Sequence, residues 1–256
     1  MKKWSFQEDY IVAKFCLEHG CRDIYGLRLE KLMNRLHKSG FNSRSEVAVS
    51  KRARDFTYLF RGWDSPYAVK QVVDIYKMLL DKEQHREMYQ NIQSLIKESY
   101  NPDAEITLNN RSSDTPNLFD ETTNLNHLVR KIEYNTTFPM VLQKYVELKK
   151  IKKYKTMCER IGMKPDTFSA ILRGKYSTVK KENVLKLCVG LELQVSEAEE
   201  LLKSAGYLLS DAVMTDVVIK AFLWERIYSV VAINAELVEN EEPELFENYV
   251  IRYDID

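Results

Sequence analysis

The stretch MCERIGMKPDTFSAILRGKYS, residues 157–177, places the strongest constraint on the fold of this chain. Two short segments with apolar residues at helical spacing flank Gly162, and Gly174 follows the second segment. Glycine readily leaves helical space, so the pattern predicts two short helices joined by a tight turn. Cys158 is small enough to lie where the two helices touch. The apolar residues that would hold these helices against a core are Met157, Ile161, Met163, Phe168 and Ile171.

Apolar residues recur at helical spacing through most of the remaining chain, and Ser45 precedes one such segment as a predicted helix N-cap. Residues 100–127 are rich in Asn, Asp, Ser, Thr and Pro without a sustained period, which is typical of a linker. Residues 248–255, NYVIRYDI, are the one candidate strand. We therefore predict an all-α fold of two helical domains: residues 1–97, a polar linker at 98–127, and a helix-turn-helix bundle with extra helices at 128–256.

The formal net charge is zero, but the charge is unevenly distributed along the chain. Residues 1–80 hold 15 basic and 9 acidic side chains, and residues 138–181 hold 12 and 3. Residues 81–137 hold 6 basic and 10 acidic side chains, and residues 182–256 hold 5 and 16. Because local fields rather than net charge attract polyanions, two basic blocks are compatible with nucleic-acid binding. We interpret the acidic C-terminal run as a solvated face.

The corner around Gly162 resembles a known family. Its pattern M-C-x-x-x-G-M-x-x-x-x-F-S-x-I-x-x-G-K is similar to the phage-repressor (Cro/repressor) helix-turn-helix, whose usual pattern is L-A-x-x-x-G-V-x-x-x-x-I-S-x-I-E-x-G. The resemblance spans about residues 136–246. It departs from the family at Leu172, where Glu is common, and at YSTVKK, which lacks the usual Pro. These departures affect capping and loop contacts more than the fold.

This resemblance implies a DNA-binding role for the second helix of the corner. In the family, the N-terminal end of that helix reads base edges in the major groove, while neighbouring residues hold phosphates. The alternative is a helix-turn-helix that serves protein contacts. The implied base-reading residues are Lys164, Asp166, Thr167, Ser169 and Ala170, and the implied phosphate-binding residues are Arg173, Lys175, Thr178, Lys180 and Lys181.

The N-terminal part carries a second resemblance. KKWSFQEDYIVAKF opens like a Myb-type trihelical domain. GFNSRSEVAVSKRARDFTYLF is similar to the helix R-x-x-x-S-V-x-x-K-x-x-N-x-x-x-L of a trihelical module that often precedes bacterial restriction-like nucleases. The match covers about residues 3–62, although Lys51 and Arg52 are displaced slightly from the family's Lys, and core packing explains Trp4 equally well. The implied DNA-facing residues are Arg44, Ser45, Lys51, Arg52 and Arg54.

The sequence offers no pattern for catalysis, a cofactor or a metal. There is no phosphate-binding loop, dinucleotide fingerprint or H-E-x-x-H motif. A zinc site built from Cys16, His19, Cys21 and His37 fits no standard ligand spacing, so ordinary packing is the alternative. No apolar run reaches the roughly 18 residues of a membrane span, and the N-terminus lacks a secretory pattern. We expect a cytoplasmic protein that is not an enzyme and has no membrane partner.

These features favour a sequence-specific DNA-binding transcriptional regulator. Its partners would be double-stranded DNA and a second copy of the chain, since half-sites are normally doubled by symmetry. The alternative is a non-enzymatic DNA-sensing or adaptor component of a bacterial anti-phage defence system. A nuclease is a third hypothesis, which the missing metal ligands disfavour. The operator, the effector and the choice between repression and activation are not encoded in any of these patterns.

Overall fold

The computed structural model describes residues 3–63, 65, 68–102, 137–151 and 153–250. In these residues all regular secondary structure is helical, which confirms the predicted all-α fold. Residues 248–250 form no strand, and the rest of the candidate strand lies outside the described residues. The helices are α1 (Phe6–Glu18), α2 (Leu27–Lys38), α3 (Glu46–Phe60), α4 (Lys70–Gln84), α5 (Arg86–Ser99), α6 (Phe138–Leu148), α7 (Tyr154–Arg160), α8 (Pro165–Leu172), α9 (Lys181–Gly190), α10 (Val195–Ser204), α11 (Met214–Trp224) and α12 (Val230–Glu239).

The division into two domains remains a prediction. Helix α5 ends at Ser99, so the first residues of the predicted linker are helical. Residues 103–136, which include most of that linker, lie outside the described residues. Just before this segment, the Asn101 amide donates to the Asp211 carbonyl oxygen at 2.7 Å, which ties the end of α5 to the loop before α11.

Side-chain caps define where the N-terminal helices begin. The Ser45 hydroxyl accepts a hydrogen bond from the Ala48 amide at 3.3 Å, which confirms the predicted N-cap of α3. At α1, the Ser5 hydroxyl accepts from the Glu8 amide, and the Glu8 carboxylate accepts from the Ser5 amide. This reciprocal capping box satisfies two amides that the first helical turn would otherwise leave unpaired.

Trp4 lies within a charged cluster that holds the N-terminal helices together. The guanidinium carbons of Arg44 and Arg52 lie 4.5 and 4.9 Å from the centre of its ring. Arg44 pairs with Glu8 at 2.6 Å, and Arg52 pairs with Asp9 at 3.1 Å. The side chains of the two arginines are 7% and 12% exposed. The guanidinium groups of Arg44 and Arg52 therefore contact Glu8, Asp9 and Trp4 within the protein. These contacts argue against the expectation that the two arginines face DNA.

Helix α12 contacts helices from both the N-terminal and the C-terminal parts of the chain. Its residues 230–237 are all buried, and it packs against α11, α4 and α1. The Lys82 ammonium of α4 lies 3.4 Å from carboxylate oxygens of both Glu236 and Glu239. The Tyr10 hydroxyl of α1 also donates to Glu239, and α5 packs against α11. Helices from the first 100 residues therefore contact the C-terminal helices directly.

Asp9 makes the stability of this fold depend on pH. Burial raises the pKa of its carboxyl to about 7, although Arg52 and Gln71 oppose the shift. The pKa of Asp in the unfolded chain is about 3.9. Between these two pKa values, the Asp9 carboxyl therefore holds a proton in the folded protein and has lost it in the unfolded chain. We predict that the contribution of Asp9 to the free energy of unfolding falls as the pH rises from about 4 to about 7, by at most about 1.4 kcal/mol per pH unit.

The substitution Asp9→Asn removes this titration and should flatten that part of the profile. Urea denaturation of both proteins across this pH range measures the difference, and the other titrating groups are common to both. Parallel profiles for wild type and Asp9→Asn would contradict the role assigned to Asp9.

Candidate nucleic-acid interface

Helices α7 and α8 meet at a turn that contains Gly162. The Gly162 backbone has φ +66°, in the left-handed region that favours glycine. The Met163 amide donates to the Cys158 carbonyl oxygen at 2.8 Å across this turn. Cys158 is completely buried, as expected of the residue where the two helices touch. The arrangement confirms the predicted helix-turn-helix.

Helix α9 fixes α7 from the core side. A Cβ atom at Gly190 would lie 3.0 Å from side-chain atoms of Ile161 and 3.4 Å from Met157, so the missing side chain allows the two helices to approach closely. The Arg160 guanidinium donates to the Gly190 carbonyl oxygen at 2.7 Å and to Glu192 at 2.6 Å. The first helix of the pair is therefore held by packing and by polar contacts.

Helix α8 buries one face and exposes the opposite one. Phe168 and Ile171 are 1% and 2% exposed. Asp166, Ala170 and Arg173 follow one another at helical spacing on the other side. The predicted apolar contacts of both helices are all buried, namely Met157, Ile161, Met163, Phe168 and Ile171. This anchoring leaves the outer face of α8 available for recognition.

The residues that were implied to read bases lie on α8 or at its N-cap. Lys164 is the N-cap, and both it and Asp166 are exposed, whereas Thr167, Ser169 and Ala170 are half-buried. Pro165 occupies the first helical turn, where its fixed φ angle suits the helix and no amide hydrogen is required. The structure therefore places all five residues along one short helix, from its N-cap to its sixth residue.

Most of the residues implied to bind phosphate lie in the loop between α8 and α9. Arg173, Lys175, Thr178 and Lys180 are exposed, and the Arg173 side chain donates to the Ser169 carbonyl oxygen at 3.1 Å. Lys181 is different, because its ammonium pairs with the carboxylate of Asp216, which is 1% exposed. This pair ties the start of α9 to α11 and argues against a phosphate contact at Lys181.

Residues 141–203, from α6 into α10, match the family of Cro/C1-type helix-turn-helix DNA-binding domains. This segment is a Cro/C1-type helix-turn-helix domain. The match confirms the resemblance seen around Gly162, whereas the Myb-like resemblance of residues 3–62 lies outside it and stays a prediction. No match to the chain was found among curated proteins or among solved structures.

The Cro/C1-type domain also exposes cations at the start of α7 that were not singled out from the sequence. Lys150, Lys153 and Lys155 are exposed there. The Tyr154 ring lies 5.4 Å from the ring of Phe168, so this end of α7 is next to α8. The signal was present in the run KKIKKYK, residues 149–155, within the basic block. These lysines are additional candidates for phosphate contacts.

Other lysines of the same basic block form ion pairs within the Cro/C1-type domain. The Lys144 ammonium lies 2.7 Å from Glu200, and the Lys149 ammonium lies 2.7 Å from Glu197, which joins α6 and its C-terminus to α10. In the N-terminal part, Ser45, Lys51 and Arg54 are exposed, unlike Arg44 and Arg52. Exposure therefore divides the predicted basic residues into surface candidates and structural ion pairs.

Three of the four cysteines, Cys16, Cys158 and Cys188, are buried, and Cys21 is half-buried. Cys16 is completely buried, and burial raises the pKa of its thiol to about 12. Within the described ranges, no group of three or more His, Cys, Asp and Glu side chains could hold a metal ion.

Among the residues that the structure describes, no helix is long and apolar enough to cross a membrane.

Proposed function

We propose that the protein is a sequence-specific transcriptional regulator that binds double-stranded DNA through its Cro/C1-type domain. The arrangement of α8 carries this proposal. Phe168 and Ile171 anchor the helix in the core, while its opposite face and the following loop carry polar and basic side chains. An α-helix held in this way can enter the major groove with its side chains against base edges.

The polar and basic residues of α8 and of the following loop support two kinds of DNA contact. Lys164 and Thr167 lie at the N-terminal end of α8 and Ser169 lies in its middle, and their hydroxyl and ammonium groups can bond to base edges. Arg173, Lys175 and Lys180 follow that helix in an exposed loop, where guanidinium and ammonium groups can neutralise phosphates. Phosphate contacts fix the position of the protein, and base contacts supply its sequence preference.

We also propose that the protein binds as a homodimer and that α3 adds a second basic surface. One recognition helix contacts few base pairs, so two copies on paired half-sites would give the required specificity. Lys51 and Arg54 on α3 are exposed, and their ammonium and guanidinium groups can neutralise phosphates. Binding, rather than catalysis, is the activity that these surfaces support.

The salt dependence of binding tests the phosphate contacts. Arg173→Ala should weaken binding to all duplexes and should reduce the slope of log K against log salt concentration by about 1, because one phosphate contact is lost. Fluorescence anisotropy with labelled genomic fragments at several salt concentrations measures this slope.

A matched control for this experiment is Lys203→Ala on α10. Lys203 is exposed in the same domain but belongs to α10 rather than to α8 or the loop that follows α8. Its substitution should leave the slope unchanged. A wild-type affinity that barely changes between low and physiological salt would contradict DNA binding through phosphate neutralisation.

Sequence preference tests the base contacts separately. Thr167→Ala should change the ranking among duplexes, with about 1–3 kcal/mol less discrimination at one position, because a base-edge contact is lost. Selection from a random duplex library, followed by competition binding, measures that ranking. Ser169→Ala provides a second variant on the same helix. If both variants and wild type select the same sequences with equal preference, the reading surface lies elsewhere.

A further inference from the structure

The segment that follows α12 returns across the helix-turn-helix. Its anchor is Phe246, whose amide donates to the Asn234 side-chain oxygen at 3.0 Å and whose carbonyl oxygen accepts from the Asn234 side-chain amide at 2.8 Å. Asn234 and Phe246 are both completely buried. The two hydrogen bonds satisfy all the backbone polar groups of Phe246, so its position is strongly specified.

Beyond Phe246 the same segment contacts the turn between α7 and α8. The Val250 amide donates to the Glu159 carbonyl oxygen at 2.7 Å, at the C-terminal end of α7. The Glu247 backbone lies very close to Gly162. A Cβ atom added to Gly162 would be only 1.8 Å from the Glu247 carbonyl oxygen. Gly162 is therefore required twice, once for its left-handed φ angle and once because the C-terminal segment leaves no room for a side chain.

Before Phe246 the segment contacts the N-terminal part of the chain. The Gln7 amide, in the first turn of α1, donates to the Glu244 carboxylate at 3.3 Å. Amides in this turn lack partners within the helix, so a carboxylate from a distant segment is a favourable acceptor. Residues 244–250 thus reach from the start of α1 to the turn at Gly162.

We propose that residues 244–250 act as a clasp that positions the turn between α7 and α8 and couples it to α1. The inference rests on the proposed function, since it concerns how α8 is presented to DNA. The clasp orders the last carbonyl groups of α7 and blocks movement at Gly162, so the angle between the two helices is fixed. Release of Glu244 from α1 loosens this contact and lowers affinity for the preferred DNA sequence. Asn234 is a positioning residue in this arrangement.

The first test compares two glycine substitutions in the full chain. Gly162→Ala and Gly206→Ala both place a side chain at a left-handed φ angle, but a Cβ at Gly206 meets no atom within 4 Å. Amide hydrogen exchange in the absence of DNA should show at least tenfold faster exchange at Val250 in Gly162→Ala and little change there in Gly206→Ala. Equal exchange at Val250 in the two variants would overturn the clasp.

The second test leaves the helix-turn-helix untouched. Glu244→Ala removes the contact with α1, and Glu247→Ala removes the same charge from an exposed side chain while keeping the backbone contact with Gly162. We expect at least fivefold faster exchange of the Met163 amide, and at least fivefold weaker binding to the preferred duplex, in Glu244→Ala relative to Glu247→Ala. Equal values in these two variants would overturn the coupling.

The two proposals fail in different ways. If the wild-type protein shows no salt-dependent binding to duplex DNA, the proposed function fails. The exchange of Val250 and Met163 in the free protein still decides whether the clasp positions the turn, because that measurement needs no DNA.

Discussion

The burial of α12 is the constraint on which the rest of the structure depends. A helix with residues 230–237 all buried must be covered on every side, and α11, α4 and α1 provide that cover. Its single buried amide side chain, Asn234, would be costly without partners, and the backbone of Phe246 supplies both of them. The same helix therefore assembles the N-terminal helices and directs the C-terminal segment onto the helix-turn-helix.

The distribution of charge follows from the same packing. Acidic side chains after residue 181 pair with lysines of the preceding basic block, as Glu197 does with Lys149 and Asp216 with Lys181. These pairs join the C-terminus of α6 to α10 and the start of α9 to α11. Several exposed cations lie in the segments that flank α8 along the chain, among them Lys153, Lys175 and Lys180, and together they create a local positive field. A chain with zero formal net charge can therefore present a basic surface.

Local features of this fold were predictable from the sequence. Apolar spacing was sufficient for the helices around Gly162 and for the burial of Phe168 and Ile171, because these depend on neighbours within a few turns. The N-cap at Ser45 was predictable for the same reason. Contacts between distant residues were not predictable. Arg44 meets Glu8 across 36 positions and Lys181 meets Asp216 across 35, so nothing in the local pattern distinguishes these structural cations from exposed ones. The contact between Gly162 and Glu247 also joins distant residues, so the local sequence pattern does not predict it.

Site-specific crosslinking tests most directly whether the outer face of α8 contacts DNA. A photoreactive amino acid at position 170, on the face opposite Phe168, should crosslink to bases of the preferred duplex, and excess unlabelled duplex should compete. The same amino acid at position 203 on α10 should give little crosslinking. Strong crosslinking from position 203 with none from position 170 would contradict the account, because it would place DNA against a different face of the domain.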